Sequence, residues 1–127
     1  MKPDGACAVD GRDLSSGCKG LLIWGIPIVL LGVSAGLGGV YPVFAWPPLL
    51  AFMGGVCLLN ARRCGRRHCY YTGPYFLILA LLSLLYGLGL LPLGPKGWQW
   101  LSSALAIGAC ILWCVPEWLS GRYVTRR

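Results

Sequence analysis

The chain has 127 residues, 57% of them hydrophobic and only 12% charged, with a mean hydropathy of +0.67. That balance excludes an ordinary soluble domain, and the length leaves no room for a second domain beside the apolar segments. The net charge of +7 invites a nucleic-acid partner, but the placement of the basic residues along the chain accounts for it without one.

The N-terminal stretch 1–19 is polar, holds all three aspartates and lacks the apolar core and cleavage site of a secretory signal. It reads as a flexible cytoplasmic tail. An apolar segment follows over about residues 20–40 and a second over about 43–59, with Pro42 marking the turn between them; a third covers about 74–93 and a fourth about 98–119. Each approaches the roughly 20 residues that a helix needs to cross hydrocarbon, and none alternates as a barrel strand would. The fold class is therefore all-α, an integral membrane bundle of four transmembrane helices over 20–119, with a loop at 60–73 and a basic tail at 120–127. Two small-residue pairs, Gly32/Gly36 and Ala104/Gly108, have the spacing that allows close helix contact in lipid, although glycine is abundant enough for chance matches.

An even number of spans puts both termini and the 60–73 loop on one side. That side carries Lys2, Arg12, Lys19, Arg62, Arg63, Arg66, Arg67, Arg122, Arg126 and Arg127, and the other carries only Lys96. The asymmetry predicts cytoplasmic termini in the inner membrane, with the basic rim facing anionic lipid rather than nucleic acid. Trp46, Trp98, Trp100, Trp118, Tyr41, Tyr70, Tyr71 and Tyr123 fall near predicted helix ends, as an interfacial belt does.

Cysteine carries what chemistry the sequence offers. Cys7, Cys18, Cys64 and Cys69 fall on the cytosolic side and are expected to be thiols. In the second helix Met53, Cys57 and Asn60 share a face at i, i+4 and i+7, which Cys64 continues. In the fourth, Cys110, Cys114 and Glu117 repeat the spacing, so the two helices could bring Cys57 close to Cys114. Between them, Cys64, His68 and Cys69 gather three soft donors within six residues. Thiolate, thioether and imidazole suit soft ions, and pairs of sulfurs in series release an ion more readily than one closed cage. The blander readings are that helix cysteines are small packing residues, that His68 lies at the headgroups, and that Glu117 pairs with Arg122 or Arg63. Pro116 removes a backbone hydrogen bond beside Cys114, and Cys7 and Cys18 could catch an ion on the tail. No phosphate-binding loop or zincin helix is present, and a single histidine excludes bis-histidine haem.

Four apolar helices with helix cysteines and a cytosolic cysteine loop over residues 20–119 resemble the small mercuric-ion transporters of bacterial mercury-resistance operons. The vicinal Cys-Cys of their first helix has no counterpart here. The resemblance implies uptake of Hg(II) by cysteine-to-cysteine transfer and delivery to a cytosolic carrier or reductase. Cys57, Cys64, His68, Cys69, Cys110, Cys114 and Glu117 are the expected metal ligands. The ion is cargo rather than a permanent cofactor; Hg(II) is preferred over Cu(I) on the resemblance and because only two methionines are present, with Zn(II) as a further candidate. No catalytic residue is expected, and four short helices are compatible with a homo-oligomer. The alternatives are a thiol/quinone redox membrane enzyme, whose known forms use an external Cys-x-x-Cys absent here, and a non-catalytic accessory subunit.

Overall fold

The structure, a computed structural model, describes residues 17–120. Four helices follow in chain order: α1 Gly17–Leu37, α2 Tyr41–Cys64, α3 Arg67–Gly87 and α4 Gly97–Ser120. All four are long and apolar enough to cross a membrane. Among the described residues there is no strand, as backbone groups in hydrocarbon require when no barrel can close. The tails at 1–16 and 121–127, with Cys7, Arg122, Arg126 and Arg127, lie outside the described residues.

Turn chemistry sets the helix ends. Gly38 and Gly39 take φ of 66° and 63° between α1 and α2, a left-handed pair that only glycine adopts readily. Pro42 then occupies the first turn of α2, where its missing N–H costs nothing. At the other end of α2, Gly65 caps with φ 65°, and its N–H reaches the Ala61 carbonyl at 2.9 Å. Arg66 is extended, and α3 starts at once.

This is the main departure from the sequence expectation. Residues 60–73 are not a loop: α2 runs on to Cys64, α3 begins at Arg67, and Pro74 lies inside α3. Arg62 and Arg63 sit in the last turn of α2, where cations are favoured by the helix dipole and can snorkel to the headgroups. Their charge does not end the helix.

The hairpin of α2 and α3 forms the centre, with α1 packed on α2 and α4 packed on α3. The two central helices cross at Gly54 and Gly73. A Cβ on Gly54 would stand 2.9 Å from the Gly73 carbonyl, and one on Gly73 would stand 2.8 Å from Leu58. That close approach is how helices gain contact in lipid, where apolar burial alone drives nothing. The pairs singled out by spacing do not do this: Gly32 and Gly36 have open space beside them, whereas Gly108 lies against the ring of Tyr75. Polar side chains make the remaining ties. Trp46 Nε1 donates to Ser34 Oγ at 3.2 Å, joining α2 to α1, and the Tyr75 hydroxyl donates to the Ala104 carbonyl, joining α3 to α4. Helix α4 is the least embedded, burying only Gly97 and Leu101.

Candidate thiol site at the α2–α3 hairpin

The inward stripe of α2 forms as its spacing predicts. Met53, Cys57 and Asn60 are all buried, the last two with no exposure. Because the link to α3 is only Gly65 and Arg66, the first turn of α3 folds back against that stripe and delivers His68 and Cys69, both at 0% exposure. The thiols of Cys57 and Cys69 face each other as a hydrogen-bonded pair. Asn60 Nδ2 donates to Cys69 Sγ at 3.7 Å, and His68 Nε2 lies 3.3 Å from the same sulfur.

The opposite edge of the imidazole meets α4. His68 Nδ1 lies 2.5 Å from Glu117 Oε1, and Arg66 Nε donates to that same oxygen at 2.9 Å. The ring is stacked on Trp113 with centroids 4.2 Å apart and planes inclined by 14°. Thr72 Oγ1 donates to the His68 carbonyl at 2.6 Å, which turns a polar side chain back onto its own helix. A carboxylate inside a membrane protein needs a compensating partner, and Arg66 supplies it.

The arrangement differs in its partners from the one expected. Cys57 meets Cys69 rather than a sulfur of α4. Cys110 and Cys114 are exposed and line a separate apolar cavity with Met53. Glu117 pairs with Arg66 and His68, not with Arg63. Cys64 was expected to be a thiol and is disulfide-bonded, so its sulfur is not a free donor. His68 was placed by one reading at the headgroups and is instead enclosed between two helices. Among the described residues, no group of three or more His, Cys, Asp or Glu side chains is arranged to hold a metal ion.

The chain matches no family model, and no curated protein or solved structure is similar to it.

What the site can do follows from its composition. Two buried thiols in contact can bridge a two-coordinate soft ion or close into a disulfide. The flanking imidazole has one nitrogen near sulfur and the other fixed by a carboxylate, the arrangement by which a carboxylate orients a histidine for its task. Asn60 and Arg66 were not expected to take part. The sequence signal for Asn60 was its place on the Cys57 stripe; Arg66 was masked by its three neighbouring arginines.

Proposed function

We propose that this chain is a membrane carrier for a soft metal ion, with Cys57 and Cys69 as its central binding pair. The observation that carries the reading is the contact between two fully buried thiols donated by different helices. Two sulfurs satisfy a linear ion such as Hg(II) without a third ligand. Such an open site also suits a mover, which must release what it binds. Hg(II) is preferred to Cu(I) or Zn(II): zinc takes four ligands, and thioether is scarce, with Met53 the one methionine beyond Met1. The arginines around the α2–α3 turn support an inner-membrane orientation with that turn facing the cytosol, where a soluble carrier or reductase would receive the ion.

Purified protein in detergent should retain one Hg(II) per chain at this pair against a monothiol competitor. Cys57→Ser and Cys69→Ser should each lose it, and proteoliposomes of either variant should lose uptake. Retention by both variants would sink the reading.

A second reading rests on the same contact. If the pair cycles between dithiol and disulfide, two thiols give up two protons and two electrons, and a membrane quinone gains them as hydroquinone. Quinone reduction that consumes the Cys57 and Cys69 thiols one for one, with no metal retained, would favour this redox enzyme over the carrier.

A further inference from the structure

The bundle leaves a cavity of ≈ 500 Å³ between its helices, bounded by Trp24, Met53, Phe76 and Trp113 and by the side chains of Cys110 and Cys114. Among the described residues, no charged side chain lines it. Cys110 and Cys114 are exposed, and α1 and α4 meet at the cavity wall, where Trp24 and Trp113 stand edge to face with ring centroids 5.8 Å apart.

We propose that this cavity binds a neutral organometal halide of the R–Hg–Cl type, admitted from the lipid and captured on Cys110 or Cys114. The inference deepens the soft-metal reading and rests on it. Charge decides the first point: a bare dication in such walls, without a counter-charge, would face a desolvation cost of tens of kcal/mol, whereas a neutral halide faces none of that order. Size decides the second, because the volume lies within the range of small-molecule sites and accommodates an aromatic ring beside Trp24, Phe76 and Trp113. The third point is an unmet donor. Trp24 is 6% exposed, it lines the cavity, and its buried Nε1–H has no hydrogen-bond partner among the described residues; a halide on the ligand would accept from it once the indole turns that edge to the cavity.

The sulfurs are suited to capture rather than to closing on each other. Residues at i and i+4 have Cβ atoms about 5–6 Å apart, beyond the roughly 3.5–4.5 Å that a disulfide needs. In the capture step the Hg–Cl bond breaks and an S–Hg bond forms. The thiol proton leaves with chloride as HCl, and no atom changes oxidation state.

The test uses full-length protein in proteoliposomes, with Cys18, Cys57 and Cys69 replaced by serine. It compares phenylmercuric chloride with the charged 4-mercuribenzenesulfonate, following adducts on Cys110 and Cys114 by mass spectrometry. Gly32→Leu is the deciding variant. It lines the cavity, its Cβ meets nothing within 4 Å, and it leaves both thiols and the lipid partitioning of the reagent unchanged. Phenylmercury should react faster than the sulfonate, and Gly32→Leu should slow it by about tenfold or more, the discrimination that a filled apolar pocket commonly gives. An unchanged rate in Gly32→Leu would overturn the proposal. If Cys110→Ser/Cys114→Ser protein then still retains inorganic Hg(II) at Cys57 and Cys69, the cavity site has failed and the carrier reading has not.

Discussion

His68 Nδ1 and Glu117 Oε1, 2.5 Å apart, fasten the start of α3 to the end of α4 across 49 residues of sequence. Little else embeds the end of α4, which buries only Gly97 and Leu101, at its other end. One carboxylate oxygen, shared between His68 and Arg66, is therefore the clasp that keeps Trp113 stacked on the imidazole beside Cys69.

Glu117→Ala should release that end. Removing one partner of an enclosed pair typically costs about 3 kcal/mol, and the loss should appear as a lower midpoint in mixed-detergent unfolding. Alkylation of Cys69 should accelerate in parallel. Glu117→Gln, which can still accept hydrogen bonds, should recover most of the protection; equal behaviour of the two variants would mean that the contact is incidental.

The helix crossing predicts an asymmetry among glycines. Gly54→Ala places a methyl 2.9 Å from the Gly73 carbonyl, where backbone must move, and should cost about 1–3 kcal/mol, as overpacking does. Gly36→Ala meets no atom within 4 Å and should be near neutral. Comparing both in one unfolding series separates close helix contact from a general effect of losing glycine.

Asn60→Ala leaves Cys69 Sγ without its 3.7 Å donor and opens a void in a position with no exposure. A loss of about 1–3 kcal/mol is expected from an unmet buried group. Soft-metal affinity should fall with it, but less than in Cys69→Ser. Equilibrium dialysis of the two proteins at one pH checks the order.

Sidedness can be read from Cys18, exposed at the start of α1 and at the same end of the bundle as the Gly65 turn. An impermeant maleimide should label it in inverted vesicles and not in intact spheroplasts. Labelling from outside would reverse the orientation drawn from the arginines.

The four helices were legible because apolar length is a coarse and strongly repeated signal. The hairpin between α2 and α3 was not. Arg62, Arg63, Arg66 and Arg67 look like a solvated loop when hydropathy alone is followed, yet Gly65 needs only one left-handed residue to end α2, and Arg67 opens α3. Once that link shortens, His68 and Cys69 move from a loop to an enclosed helix turn. The inward stripe of Met53, Cys57 and Asn60 was visible in its spacing, because periodicity reports a face. Which sulfur meets Cys57 depends on the register between two helices, and no single-helix pattern carries that. The same limit applies to Glu117, where a charge was expected to find a partner but the partners are Arg66 of the link and His68 of α3.

The two-residue link also fixes how the chain can change. Each residue added to or removed from it would turn α3 by about 100° about its axis relative to α2, swinging Cys69 away from Cys57 and lifting Gly73 off Gly54. The nine residues from 88 to 96 between α3 and α4 impose no such phase. Insertions should therefore accumulate in that second connection and be absent from the first, so that length variation among descendants of this sequence would itself mark which pair of helices holds the chemistry.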